Sequence, residues 1–240
     1  MPDNFATYWE YFDKIYCISL DERTDRREQA KAQFRAVGLA DRVEFVVVKK
    51  HPVDCEQGIY ESHILCMEKG IRAHADTIVI FEDDIVFHRF SHHTLKNCID
   101  FLATKADWQI MFLGCMVKKS AKTDNRSVLK IKFRCQCHAY VLSREFAKTM
   151  AKIPWKKTPF DDTLRDDMKD AQMYATYPSF AFQSNSRSDN QRYLPLDKFR
   201  RLCGGIRRLQ KMNEFYHYNR TLIIGAHILF VSLLIVILTL

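Results

Sequence analysis

Glycine and proline are scarce, seven and six among 240 residues, which excludes a collagen-like repeat and any long flexible linker. The opening stretch, MPDNFATYWEYFDK, lacks the apolar core of a secretory signal, so no leader is expected there. Residues 221–240 contain no Asp, Glu, Lys or Arg. Hydrophobic residues at 47% and charged residues at 28% give a globular composition. The net charge of +8 is concentrated in one place. Residues 198–220 carry seven Lys/Arg against one Glu, which leaves only +2 for residues 1–197. So local a positive charge excludes a uniformly basic nucleic-acid coat, and no nucleic-acid partner is expected.

Leu222 to Leu240 is an apolar run interrupted only by Gly225, His227, Ser232 and Thr239. As a helix it would be about 28 Å long, close to the hydrocarbon thickness of a bilayer. A membrane anchor is expected, with a buried core helix as the competing reading. Arg200, Arg201, Arg207, Arg208, Lys211 and Arg220 precede the run, which by the positive-inside rule puts residues 1–220 on the cytoplasmic face. The same cations suit anionic lipid headgroups, or simply a solvated helix face. The eight cysteines (17, 55, 66, 98, 115, 135, 137 and 203) sit mostly in apolar stretches, as buried free thiols of a reducing compartment do. Cys135, Cys137 and His138 offer half a zinc site, but no second half follows.

Strand and helix patterns alternate through the first 115 residues, as in an α/β domain of βαβ units. Strands are expected at Lys14–Leu20, Val43–Val48, Thr77–Phe81 and Trp108–Leu113. Asp25 and Glu28 have capping-box spacing for a helix reaching Val37, which Gly38 stops. Further helices are expected from Tyr60 to Ala73, and from Ser91, as cap, to Ala103. The second half predicts strands at Val128–Phe133, His138–Leu142, Tyr174–Tyr177 and Phe180–Phe182. Ser143 should cap a helix to Lys152, and Asp197–Met212 should form a basic helix leading into the anchor.

The sharpest chemical feature is IVIFEDDIVF, in which a buried strand delivers Glu82, Asp83 and Asp84 together. Adjacent carboxylates repel, and burial raises that cost until a cation or protons neutralise them. Mg²⁺ or Mn²⁺ meets that need, although an acidic turn is the plainer alternative. ISLDERTDRRE places Asp21, Arg23, Arg26 and Arg27 after another strand end, where arginines suit a phosphate-bearing ligand or form a solvated helix start. EQGIYESH supplies Gly58, Ser62 and His63 near an expected helix N-terminus.

In their order, ISLDERTDRR, QGIYESH, VIFEDDIVF, HAYVLSREFAK and TPFDD resemble glycosyltransferase family 25, the lipopolysaccharide and lipooligosaccharide glycosyltransferases related to collagen galactosyltransferases. The resemblance runs from Lys14 to Asn190. It implies an α/β, GT-A-like (Rossmann-like) fold, a nucleotide-sugar donor such as a UDP-hexose, Mn²⁺ (or Mg²⁺), and inversion at the anomeric carbon. Glu82, Asp83 and Asp84 match the family's acidic metal motif. Gly58, Ser62 and His63 match its G-C-x-x-S-H block, His138 and Tyr140 the end of G-T-x-A-Y, and Asp161 and Asp162 its later acidic block. Ile59 stands for the usual Cys, Ser19 for Asn, and Gln136 and Cys137 for Gly and Thr, which bears on the sugar more than on the reaction.

The expected protein is thus a glycosyltransferase domain over 1–197, a basic juxtamembrane helix over 198–220 and an anchor over 221–240. It would act on a glycan or glycolipid acceptor. Asp161 or Asp162, or else Asp189, is the candidate general base, an N-terminal cap being the other role for the first two. A non-catalytic nucleotide-sugar or glycan-binding descendant, and a metal-dependent phosphotransferase or phosphohydrolase, are the alternatives.

Overall fold

The structure, a computed structural model, describes residues 5–184, 202 and 204–239. The β-branched runs become strands β1 (Lys14–Leu20), β2 (Val43–Val48) and β3 (Thr77–Glu82). Seven more follow: β4 (Ile85–Phe87), β5 (Ile110–Phe112), β6 (Met116–Lys122), β7 (Val128–Cys135), β8 (Ala139–Ser143), β9 (Met173–Thr176) and β10 (Ala181–Gln183). Eight form a mixed sheet in the order β2-β1-β3-β8-β5-β9-β7-β6, and β10 pairs with β4 in a separate ribbon. β8 runs antiparallel between β3 and β5. This is the α/β class the sequence pattern predicts.

Side chains alternate across the sheet. Tyr16, Ile78, Ile80, Phe112 and Tyr140 enter one core, and Cys17, Val79, Phe81, Met111 and Val141 the other. Helices α2 (Cys55–Arg72) and α4 (Arg144–Ala151) cover the first face. Helices α1 (Thr24–Ala36) and α3 (His92–Thr104), with a 3₁₀ helix over Phe5–Tyr11, cover the second. Burial on both faces is why these strands read as unbroken apolar runs. α1 joins β1 to β2 on one face, whereas α2 joins β2 to β3 on the other. Strand order therefore reverses about β1, which opens a crevice at the carboxyl ends of β1 and β3.

Helix starts needed correction. Asp25 and Glu28 form no capping box: Arg23 stands at the N-cap without a side-chain cap bond, and Arg23 grips the Asp25 carboxylate at 3.0 Å. α2 begins at Cys55 rather than Tyr60, because Asp54 caps it by accepting from the Glu56 and Gln57 amides. Ser91 and Ser143 cap α3 and α4 as expected, and Gly38, at φ 77°, follows the end of α1. All seven described cysteines are free; Cys203 lies outside the described residues.

Of the expected basic helix, 197–201 and 203 lie outside the described residues. A collar helix spans Ile206–Tyr218 and packs on the domain. Its Asn213 side chain accepts from the Val117 amide at 2.8 Å and donates to the Val117 carbonyl at 3.0 Å, so it occupies the free edge of β6. Gln210 donates to the Ala181 carbonyl, Glu214 receives the Ser179 amide and Arg89, and Tyr218 stacks on Tyr177 with centroids 3.7 Å apart. A tail helix, Arg220–Thr239, follows, and none of its residues is buried. It is long and apolar enough to cross a membrane.

Candidate functional site

The acidic triplet lies at the crevice. Glu82 ends β3, and Asp83 and Asp84 make the turn into β4. Arg26, from the first turn of α1, faces Asp83 at 3.6 Å, both side chains about nine-tenths buried. Arg27 instead braces the end of β1, donating to the Ser19 hydroxyl and to the Leu20 and Asp21 carbonyls. Gln183 on β10 donates to Glu82 Oε2 at 3.4 Å, and Asp84 Oδ1 is buried with no hydrogen-bond partner.

Burial, then the neighbouring carboxylate charge, pushes the carboxyls of Glu82 and Asp84 up, with Arg26 opposing. Burial also raises Asp83, against Ser19 and Arg26. Ionised together, the three carboxylates would carry more charge than Arg26 offsets, so without a cation they hold protons that free carboxylates release. Among the described residues no three His, Cys, Asp or Glu side chains close into a metal cage.

Behind the triplet sits a buried polar core. His63 Nε2 lies 3.5 Å from Glu82 Oε1, its Nδ1 lies 2.7 Å from the Tyr140 hydroxyl, and its ring stacks on Phe160 at 4.2 Å. Burial holds the imidazole down to about 4, although Asp161 pulls it upward, so it is neutral at physiological pH. His138 is fully buried, with its imidazole likewise held to about 4 by burial; its carbonyl accepts the Glu82 amide at 2.9 Å.

Asp161 and Asp162 diverge. A short turn, α5 (Phe160–Asp162), directs the Asp161 carboxylate to the Gln136 amide at 2.8 Å. Burial, opposed by that amide, lifts the Asp161 carboxyl to about 6. Asp162 pairs with Arg165 instead. The site thus unites Arg26, Glu82, Asp83, Asp84, His63, Tyr140 and Asp161. Asp21 is exposed and its carbonyl accepts from Arg27 at the end of β1, Arg23 is engaged by Asp25, and Asp189 lies outside the described residues.

Gly58 and Ser62 take roles the motif does not reveal. The early start of α2 puts both inside the helix, and His63 two turns in, rather than at its N-terminus. A Cβ on Gly58 would come within 2.7 Å of His51 Cβ, so the glycine permits a close approach. The Ser62 hydroxyl donates back to the Gly58 carbonyl at 2.6 Å. Sequence reasoning missed Gln183, which lies outside any acidic or basic run, and Phe160, which directly precedes the Asp161–Asp162 pair; β10 and α5 recruit them.

The family model for glycosyltransferase family 25 (LPS biosynthesis protein) matches residues 47–168. That span holds the triplet, His63, Tyr140 and both carboxylates of α5. No curated protein matches the sequence. Among solved structures, the chain is similar to a glycosyltransferase involved in glycosylation of the major capsid of PBCV-1, at 8% identity and TM-score 0.42, over 68% of this chain and 81% of that one. It is also similar to mannose-1-phosphate geranyltransferase from Thermus thermophilus, at 6% and 0.42, over 68% and 73%. CMP:2-keto-3-deoxy-manno-octonic acid synthetase complexed with CTP is similar at 12% and 0.40, over 80% and 98%. Likenesses this distant carry nothing about chemistry.

Proposed function

This chain belongs to glycosyltransferase family 25, and on that premise we propose that it is a metal-dependent, inverting hexosyltransferase working at a membrane surface. The donor is a UDP-hexose, galactose being the first sugar to try, and the acceptor a glycan or glycolipid of the lipopolysaccharide or lipooligosaccharide type. The observation that carries the reading is the under-neutralised Glu82-Asp83-Asp84 triplet on the crevice between β1 and β3, with the buried Asp84 Oδ1 unsatisfied.

The residues fit Mn²⁺ or Mg²⁺ in an open rather than a caged manner. Such cations take hard oxygens and commonly keep water and substrate phosphate in their shell, so two protein carboxylates suffice. Asp84 and Glu82 would hold the ion, with Asp83 retained by Arg26. When bound, the cation supplies charge neutralisation at the departing nucleotide diphosphate.

The protein's own groups do the rest. Arg26, held at Asp83, adds positive charge beside the diphosphate. Inversion by one displacement needs a base on the acceptor side, and Asp161 takes that role. The Gln136 amide fixes its orientation, and its raised pKa improves the match to a hydroxyl proton. His63, neutral and stacked on Phe160, keeps Glu82 in place without adding charge. We read the tail helix as the single-pass anchor: its length and apolar composition support that reading, and the basic flank before it supports a domain on the cytoplasmic side.

The test is a nucleotide-sugar panel scored for Mn²⁺-dependent nucleotide release, with and without detergent-solubilised glycolipid. One donor should be consumed by the wild type and spared by Asp84→Asn. Equal turnover in that variant would remove the triplet from the chemistry.

A further inference from the structure

Of the described cations in the basic segment, Arg220 opens the membrane-crossing helix, whereas two others turn away from it. Lys211 turns back to the domain, its Nζ 3.5 Å from His88 Nε2 and 5.8 Å from the Phe182 ring centroid. Arg207 is half-buried and bears on the same His88. Where the tail helix leaves, the sheet supplies the charge instead. Lys122, the last residue of β6, holds its Nζ 4.6 Å from the Tyr218 ring centroid. Arg134 of β7 and Arg220 both bear on His217, whose pKa is lowered by burial first and by these two guanidinium groups next. Lys122, Arg134 and Arg220 are exposed, and among the described residues none has a carboxylate partner. Phe215 and Tyr216, 64% and 44% exposed, directly precede His217 in the collar helix.

The collar helix is bonded to β6 through Asn213 and through Ser120, whose hydroxyl donates to the His217 carbonyl at 3.1 Å. Only Asn219 separates its last residue from the tail helix. Cations and aromatics at the base of a spanning helix occupy the headgroup layer, where aromatic rings and long basic side chains are favoured.

We infer that Lys122, Arg134 and Arg220, with Phe215 and Tyr216, form a docking face for anionic lipid headgroups, which holds the catalytic domain at one orientation on the bilayer. The inference rests on the proposed anchor reading. It differs from a merely basic linker because two of its three cations come from the β6–β7 hairpin, about 85 and 100 residues away in sequence.

The full chain, reconstituted in phosphatidylcholine vesicles with or without phosphatidylserine, tests it by lysine acylation. Acylation of Lys122 should slow about fivefold in the anionic vesicles, the effect of one cation near such a surface. High salt should restore the rate. Lys31, over Phe45 at the opposite edge of the sheet, should react equally in both vesicles. Arg134→Gln should lose most of the Lys122 protection without changing donor hydrolysis. Equal Lys122 acylation in the two vesicles, with the chain resisting alkaline extraction, would overturn the docking face and leave the anchor standing. Release of the chain by alkaline extraction from both vesicles would overturn the anchor and the docking face together.

Discussion

The imidazole of His63 is pinned by Tyr140, whose hydroxyl lies 2.7 Å from Nδ1. Burial pushes the Tyr140 phenol well above its ordinary pKa, so the hydroxyl keeps its proton. With the single proton of the neutral ring on Nε2, facing Glu82, Nδ1 accepts from that hydroxyl. Tyr140→Phe removes the donor, strands a buried nitrogen and frees the tautomer. A stability loss of about 1–3 kcal/mol is expected, read by chemical denaturation. A fall in kcat with little change in donor KM should accompany it. Unchanged kcat would reduce His63 to a packing residue.

Asp84→Asn should separate stability from activity. A carboxyl whose folded pKa is raised contributes stability at low pH that is lost as pH rises through the raised value. The amide keeps the shape without the charge. At alkaline pH the metal-free variant should therefore be more stable than the wild type, by an amount on the order of 1–3 kcal/mol, and the gap should close below the ordinary carboxylate range. Thermal melts across pH in chelator would show it. The same variant should lose Mn²⁺-induced stabilisation.

Asp161 gives the enzyme an acid limb. A base must be ionised to act, so kcat/KM should rise with pH through about 6. Asp161→Asn should cost about 10²–10⁴ in rate and abolish that limb. The stability sign is opposite. The folded chain holds this proton up to about 6, the unfolded one only to the ordinary carboxylate range, so folding loses stability as pH rises between the two. Asp162→Asn should leave the limb intact, because that carboxylate faces Arg165.

Lys14–Leu20 and Val43–Val48 were readable to the residue because β-branched runs between turns have few other conformations. β6 was not readable. MVKKSAK lacks an apolar face, and it becomes a strand through hairpin pairing with β7 and capping of its edge by Asn213, which is remote in sequence. The site divides the same way. The acidic triplet was legible because like charges at a strand end are costly by themselves. Choosing Asp161 over Asp162 needed the direction of one short turn.

Gln136 holds φ at 78°, in the left-handed region that suits glycine, the residue the family usually has there. Its side-chain amide is also buried with neither atom hydrogen-bonded. Gln136→Gly removes both costs while keeping the backbone amide that holds Asp161. A gain of about 1 kcal/mol or more is expected in denaturant melts. Donor preference should change as well, since a side chain leaves the neighbourhood of Asp161.

The collar helix is the last element to test, because its position makes the charge-rich segment part of the enzyme. Ending the chain after Asn219 removes a tail helix of which no residue is buried, and donor hydrolysis should continue in a soluble protein. Ending it after Gly205 strips Gln210, Asn213, Glu214 and Tyr218 from the domain. The β6 edge would then lose both Asn213 bonds, and Tyr177 its stacking partner. A point variant isolates the edge contribution: Asn213→Leu leaves the Val117 amide and carbonyl unpaired and should cost about 2 kcal/mol. If the shorter truncation melts with the longer one, the collar helix is a linker and its contacts to β6 and β10 carry no stability.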